Sequence, residues 1–237
     1  MPFTLAHPVA VLPLARCRYA YLPALVLGSI APDLPYFLGG RAAFGWGHSL
    51  LGAVYLVPLC AILYGFYVKF WREALRDYLP CCINPFTPTF RLPEWWIWLC
   101  SLFFGIATHD FLDAFTHETG YFVNHLPFLR EYFLGLPVFK WLQYSGGVLG
   151  LAACGWFMWR FRVAQNGRVS KQQKWHFWAK CGALALIGLG LWQWLAPVAL
   201  GNLATAVIRA VDCAVVAFSL LTIKWRFRQS ENPWHTK

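Results

Sequence analysis

Three long runs without a charged residue constrain this chain more than any other feature of its sequence. Ser49–Val68 contains 20 consecutive uncharged residues, Trp141–Trp159 contains 19 and Cys181–Ile208 contains 28. An apolar run of about 18 or more residues is long enough for a helix to cross a bilayer. The composition agrees, because 59% of the residues are hydrophobic and only 13% are charged, about half of the usual charged fraction. These features predict a polytopic membrane protein.

The expected fold is all-α, a polytopic transmembrane helical bundle with five spans. The predicted spans lie at about 49–69, 95–115, 140–160, 177–196 and 199–223. A further apolar region at about 3–38 is interrupted by five prolines, so we expect two shorter helices there, with a bend near Pro32. We interpret 1–237 as a single membrane domain, with a polar half at 1–135 and an apolar helical half at 136–237.

The formal net charge of +10 is concentrated in short segments. The loop after the 140–160 span and the tail after the last span carry most of it: Arg160, Arg162, Arg168, Lys171, Lys174, Lys224, Arg226 and Arg228. Basic loops of this kind face the cytoplasm, so the pattern predicts a cytoplasmic C-terminus and argues against nucleic-acid binding. In this orientation His48 and residues 109–117 fall on the same outer face.

The stretch GIATHDFLDAFTHETG, residues 105–120, places several ionisable groups at the end of a predicted span. His109, Asp113 and His117 are spaced i, i+4 and i+8, and Asp110, Asp113 and His117 are spaced i, i+3 and i+7. Either set lies on one helical face. Imidazole and carboxylate groups so arranged suit zinc, and also manganese or iron. The simpler alternative is a polar helix end in which Asp pairs with His.

Three isolated ionisable residues lie in other apolar segments: His7, Asp33 and His48. Each has an ordinary explanation as a cap, a turn residue or an interfacial side chain. However, ionisable groups at membrane depth are costly and usually face a partner or a cavity. In the apolar half, Arg209 and Asp212 are three residues apart on a predicted helix, and we expect them to neutralise each other or to tether the helix bundle.

Several of these motifs resemble known families. The segments MPFTLAHPVAVLPL, GSIAPDLPYF and GHSLLG resemble the DUF4184 family of bacterial membrane proteins. The order of the motifs is similar to that of the YdjM-like (DUF457) inner-membrane metal-dependent hydrolases, whose GxxxHxxxDxxT pattern matches Gly105, His109, Asp113 and Thr116. A more distant similarity is to zinc-dependent phospholipase C. The second histidine that YdjM-like proteins often carry before HS has no counterpart at 43–46, so we expect one or two metal ions.

The resemblance and the spacing together predict a multi-pass protein of the bacterial inner (plasma) membrane that acts as a metal-dependent hydrolase. The divalent metal is expected to be zinc, with manganese or iron as alternatives, and its predicted ligands are His7, Asp33, His48, His109 and Asp113. Asp110 and His117 are the predicted general base or orienting groups. A phosphoester or lipid-linked molecule is the expected substrate, with membrane lipid as the surrounding partner.

Two other functions remain open from the sequence. The cluster can be a structural metal site or polar network in a non-enzymatic membrane protein, in which protein atoms fill every ligand position. It can also belong to a transporter or proton relay that uses Arg209 and Asp212. Transporters commonly contain inverted repeats, whereas the polar residues here are confined to one half of the chain.

Overall fold

The structure is a computed structural model that describes residues 4–42, 45–86, 93–163, 169–199 and 201–231. Its described part is all-α, as predicted, apart from one short antiparallel hairpin, β1 (Tyr132–Phe133) and β2 (Leu136–Pro137). The α-helices of the described residues are α1 (Leu22–Ile30), α2 (Leu34–Gly39), α3 (Leu50–Phe66), α4 (Arg72–Tyr78), α5 (Trp95–Thr116), α6 (Tyr121–His125), α7 (Val138–Arg160), α8 (Lys171–Leu195) and α9 (Leu203–Glu231). Short 3₁₀ helices cover Thr4–Ala10, Leu12–Arg16, Ala31–Asp33, Gly45–His48, Cys81–Ile83 and Pro127–Arg130, and a π-helical turn, Tyr67–Trp71, joins α3 to α4.

The prolines near the amino terminus break the helical region as expected. Pro23 lies in the first turn of α1, where its missing N–H costs nothing. Pro32 lies in the first turn of the 3₁₀ helix Ala31–Asp33, which separates α1 from α2. This break places Asp33 between two helices with its side chain buried.

Among the described residues, four helical stretches are long and apolar enough to cross a membrane: Leu22–Gly39, Leu51–Tyr78, Trp95–His125 and Leu203–Phe227. They indicate a membrane protein, but the predicted count of five spans is not matched. The predicted spans at 140–160 and 177–196 form helices α7 and α8, yet neither is among the four. The prediction counted missing charges, whereas α7 and α8 contain many Gly, Trp and Gln residues, which are uncharged but weakly apolar.

The chain divides into two compact units. The described residues of unit 1 lie within Met1–Pro35, Gly45–Tyr64 and Phe90–Arg160, and those of unit 2 lie within Tyr36–Phe44, Gly65–Thr89 and Phe161–Lys237. The core of unit 1 is formed by small and medium apolar side chains: Ala31, Ala53, Leu56, Cys60, Leu102 and Ile106. Every residue predicted to belong to the metal site falls in unit 1.

A close crossing of α1 and α5 forms the centre of unit 1. A Cβ atom on Gly28 would lie 2.2 Å from the carbonyl oxygen of Leu102, and one on Gly105 would lie 2.4 Å from the carbonyl oxygen of Leu25. Only glycine therefore allows the two helix backbones to approach so closely. The contact brings the backbone carbonyl of Ser29 beside His109, which lies one turn after Gly105 on α5.

Unit 2 contains an aromatic core and the two ionisable residues of the apolar half, Arg209 and Asp212. The rings of Trp178 and Phe218 stack with centroids 5.7 Å apart. Of the two roles predicted for Arg209 and Asp212, mutual neutralisation is not found, because no ion pair joins them in the described part of the chain. Arg209 instead donates to the backbone carbonyls that follow α2 and α8, and Oδ2 of Asp212 is buried without a hydrogen-bond partner among the described residues.

Candidate metal centre

The structure brings the five predicted metal ligands together from four segments of unit 1. His7 comes from the helix Thr4–Ala10, Asp33 from Ala31–Asp33, His48 from Gly45–His48, and His109 and Asp113 from α5. The ligand atoms form two overlapping sets, and within each set all of them lie within 4.8 Å of one another. One set is His7, Asp33 and His109, and the other is His48, His109 and Asp113. With His117, these residues are called the His/Asp cluster below.

Imidazole nitrogens face carboxylate oxygens throughout the His/Asp cluster. Asp113 Oδ1 lies 3.2 Å from His7 Nε2 and 3.3 Å from His117 Nδ1. The other oxygen of Asp113, Oδ2, lies 3.3 Å from both His48 Nε2 and His109 Nε2. Asp33 Oδ1 lies 3.6 Å from His48 Nε2 and 3.8 Å from His109 Nε2. Charge-assisted hydrogen bonds are shorter, about 2.7–2.9 Å. Two ligands of one zinc ion, each bound at 2.0–2.2 Å, stand about 3.2–3.6 Å apart at tetrahedral angles. The spacing therefore fits atoms that share a cation.

The carboxylate of Asp113 is the centre of this arrangement. Its two oxygens face two different pairs of imidazole rings, as the distances show, and the residue is buried. Asp33 supplies the second carboxylate: its Oδ1 faces the cluster, while its Oδ2 accepts a hydrogen bond of 2.5 Å from the hydroxyl of Thr4. Hydrogen bonds of this kind fix the orientation of a metal-binding carboxylate.

The ring of His109 is held in one orientation by the backbone of α1. Its Nδ1 lies 2.8 Å from the carbonyl oxygen of Ser29, which only accepts, so Nδ1 carries the proton. In the neutral ring the lone pair is then on Nε2, the form in which imidazole binds metals. That Nε2 is fully buried, has no hydrogen-bond partner among the described residues, and faces two carboxylates. A lone pair directed at two anions is unfavourable, so either a second proton on Nε2 or a metal cation lies between them.

The stacking of two histidines limits the charge of the cluster. The rings of His7 and His109 are stacked with centroids 3.9 Å apart and an interplanar angle of 22°. Both side chains are buried, so two positive rings at this distance would repel each other strongly. At least one ring is therefore neutral, which disfavours a cluster held together by imidazolium–carboxylate pairs alone.

The two predicted catalytic residues lie at the end of α5. The helix ends at Thr116 and His117 is its C-cap, with extended backbone (φ −107°, ψ 144°), but its Nδ1 lies 3.3 Å from Asp113 Oδ1, on the side that the predicted spacing requires. Asp110 is partly buried, and its Oδ1 is buried with no hydrogen-bond partner among the described residues. Asp110 lies within electrostatic range of His48 and His109. His125 is exposed on α6, and its Nδ1 donates to the carbonyl oxygen of Tyr121.

Sequence reasoning missed three residues that shape the cluster. Thr4 orients Asp33, Ser29 orients His109, and Gly47 allows close packing beside Asp33, since a Cβ atom on Gly47 would lie 2.2 Å from the carbonyl oxygen of Pro32. The sequence offered a weak signal for Thr4, a hydroxyl three residues before His7. It offered none for Ser29, which acts through its backbone.

A known protein family matches most of the chain. Its model, described as "Domain of unknown function (DUF4184)", matches residues 1–225. The chain belongs to the DUF4184 family. No curated protein and no solved structure matches this DUF4184 chain. The matched range includes the whole His/Asp cluster, while the similarities to YdjM-like hydrolases and to phospholipase C remain predictions.

Proposed function

We propose that this DUF4184 protein is a membrane-embedded, metal-dependent hydrolase whose His/Asp cluster acts on a phosphoester, in particular a lipid-linked one. The observation that carries the proposal is the buried carboxylate of Asp113 among four imidazole rings, each 3.2–3.3 Å away. The buried Nε2 of His109, which has no hydrogen-bond partner among the described residues, supports a bound cation.

The donor atoms of the cluster fit a divalent transition metal. Imidazole and carboxylate ligands suit zinc, with manganese or iron as alternatives. The residues that would hold the ion are His7, Asp33, His48, His109 and Asp113. When bound, zinc supplies Lewis-acid chemistry, which polarises a phosphoryl oxygen and lowers the pKa of a water molecule to about 7.

Two residues beside the ligands have the chemistry for proton transfer. The unpartnered Oδ1 of Asp110 is the candidate general base for an attacking water. His117 is the most exposed imidazole of the cluster, so it is the candidate for contact with the phosphoryl group or the leaving oxygen. Neither role requires a rearrangement of α5.

The position of the cluster on α5 supports a lipid-linked substrate. Helix α5 has 22 residues, so it is about 33 Å long, close to the roughly 30 Å hydrocarbon thickness of a bilayer. His109 and Asp113 lie in its last two turns, near the level of the lipid headgroups if α5 spans the bilayer. The basic loops predict that this end faces outward from a bacterial inner membrane, with the C-terminus in the cytoplasm.

Metal content of the detergent-purified full chain tests the proposal first. We expect one or two equivalents of zinc, manganese or iron by plasma mass spectrometry, and less than about a tenth of that in a His109→Ala/Asp113→Ala double variant. His125→Ala is the matched control, because His125 is exposed and contacts Tyr121 instead of the cluster. A folded wild type that stays metal-free when metal is supplied would contradict the proposal.

Turnover is the second test. We expect the metal-loaded protein to hydrolyse a phosphodiester, presented as a chromogenic ester and as a phospholipid in mixed micelles, and a chelator to abolish the reaction. Asp110→Asn should retain the metal but lose about 10²–10⁴-fold in turnover, the usual contribution of a general base. Full activity after removal of the metal would exclude a metal-dependent mechanism.

A non-catalytic metal site is the second candidate function. It is favoured by the number of donors, since the atoms facing one another already suffice for a closed tetrahedral shell. This function predicts bound metal without turnover of any phosphoester. It also predicts that metal removal lowers the stability of the fold far more than it changes any chemistry.

A further inference from the structure

Three consecutive large apolar residues are exposed at the turn between β1 and β2. Tyr132 is 77% exposed, Phe133 61% and Leu134 77%, and together they are called the apolar tip. Scattered apolar residues on a surface need no explanation, but a contiguous exposed group marks a binding or membrane contact. The apolar tip belongs to unit 1 and lies outside the four candidate spans.

The turn of this hairpin uses a residue that its backbone does not favour. Tyr132 pairs with Pro137 and Phe133 with Leu136, which leaves Leu134 and Gly135 as a two-residue turn with φ of +48° and +84°. Such turns prefer Asn-Gly or Gly-Gly, because a branched side chain is strained at positive φ. Leu134 is the one non-glycine residue with positive φ among the described residues. A leucine at this strained position points to a role for its exposed apolar side chain.

The base of the hairpin is fixed, so the exposure of the apolar tip is not the result of a loose loop. Trp141 donates through Nε1 to the carbonyl oxygen of Phe133 at 2.7 Å. On either side of the hairpin, Leu129 and Phe139 are buried in one apolar cluster, which also packs against Phe115 of α5. The tip is thereby tied to the turn of α5 that separates Asp113 from His117.

The length of α5 places this end of unit 1 at a membrane surface. Helix α5 begins with the exposed pair Trp95 and Trp96, residues typical of the lipid–water interface. One hydrocarbon thickness later the helix ends at Thr116. The base of the hairpin, packed near Phe115 through Leu129 and Phe139, then lies at the opposite interface, and the charged residues Arg130, Glu131 and Lys140 flank the hairpin.

We propose that the apolar tip inserts into the lipid leaflet next to the His/Asp cluster and anchors this end of the protein at the membrane interface. The occupant is lipid, because the tip projects from a hairpin whose base packs against Phe115 of a candidate span. A three-residue projection is also far smaller than the roughly 800 Å² per partner of a stable protein interface. The inference rests on the proposed membrane placement of α5 and is independent of metal binding and hydrolysis.

Site-specific photocrosslinking tests this insertion in the full chain. The photoreactive residue p-benzoylphenylalanine replaces Leu134 in protein reconstituted into nanodiscs of phosphatidylethanolamine and phosphatidylglycerol. We expect phospholipid adducts by mass spectrometry in a yield comparable to that at Phe104, which is 51% exposed in the middle of α5. The same residue placed at Glu118, an exposed charged position just after α5, should give far fewer.

Two results would overturn the insertion. One is the absence of lipid adducts at position 134 in a sample in which position 104 reacts. The other is a dominant adduct between two copies of the chain at position 134. Repeating the measurement in an Asp113→Asn background separates this inference from the proposed function, because the lipid adducts should persist when the metal is lost.

Discussion

Both units contain ionisable side chains in strongly apolar segments, but they accommodate them in different ways. In unit 1, residues that are up to 106 positions apart, such as His7 and Asp113, meet side chain to side chain. In unit 2, Arg209 and Asp212 are three positions apart and do not pair. The guanidinium of Arg209 instead lies over the ring of Trp192 and donates to the carbonyl oxygens of Gly40 and Ala196.

This difference distinguishes a candidate functional site, the His/Asp cluster, from the contacts of Arg209, which stabilise the fold. Arg209 satisfies carbonyl groups at the ends of two helices, which is a common role of basic residues in helix capping. The His/Asp cluster also serves one helix end, since Nδ1 of His109 donates to the carbonyl of Ser29 in the last turn of α1, but it leaves Nε2 of His109 unpartnered among the described residues. Four segments have to be ordered to assemble it, and that ordering costs conformational entropy. A bound ligand explains this arrangement better than a contribution of the cluster to the stability of the fold.

The largest expected effect comes from the centre of the cluster. Asp113→Asn keeps the size of the side chain but removes the anion that four imidazole rings face. We expect metal affinity to fall more than about 100-fold, equivalent to about 2.7 kcal/mol. Asp212→Asn in unit 2 is the control and should leave metal content unchanged. Equal metal loss in both variants, measured by titration with a competing chelator, would abolish the distinction between the two regions.

A smaller effect is expected from the crossing of α1 and α5. Gly105→Ala places a Cβ atom 2.4 Å from the carbonyl oxygen of Leu25, so the helices must separate, at a cost of about 1–3 kcal/mol. The separation also moves Ser29 away from His109, and metal affinity should fall with stability. Gly190→Ala in α8 meets no atom within 4 Å and should be neutral or slightly stabilising. Thermal unfolding in detergent, with and without metal, measures both.

Thr4→Val tests the orienting hydrogen bond of Asp33. The substitution preserves shape but removes the donor to Oδ2, and loss of such a contact typically weakens metal binding about 10-fold or more. Thr108→Val is the matched control, because that hydroxyl donates to the carbonyl oxygen of Gly105 within α5. If Thr4→Val changes the unfolding temperature but leaves the metal affinity unchanged, Thr4 has a structural role alone.

The smallest effect is expected in unit 2. Arg209→Gln removes the charge that serves two backbone carbonyls, so we expect a loss of about 1–2 kcal/mol in the free energy of unfolding. Metal content should not change. A drop in metal content on this substitution would show that the two regions are coupled. It would contradict the distinction between a metal site in unit 1 and a structural contact in unit 2.

The sequence predicted the membrane class, the helical fold and the members of the cluster for identifiable reasons. Apolar runs longer than a bilayer leave few alternatives to helices, and costly ionisable residues within them stand out. The same reasoning failed where only local spacing supported it. Arg209 and Asp212 have suitable spacing but do not pair. The predicted number of spans is also not matched among the described residues, because an uncharged run is not always a strongly apolar one.

The sequence by itself determined which residues are available for metal binding and placed His109 and Asp113 on one helical face, because i and i+4 neighbours on a helix always meet. Only the tertiary structure decided that His7 stacks on His109, that Ser29 fixes the ring by its carbonyl, and that Thr4 orients Asp33. Those contacts depend on how closely α1 and α5 cross at Gly28 and Gly105. That distance is set by packing between segments far apart in the chain, which no local pattern of residues encodes.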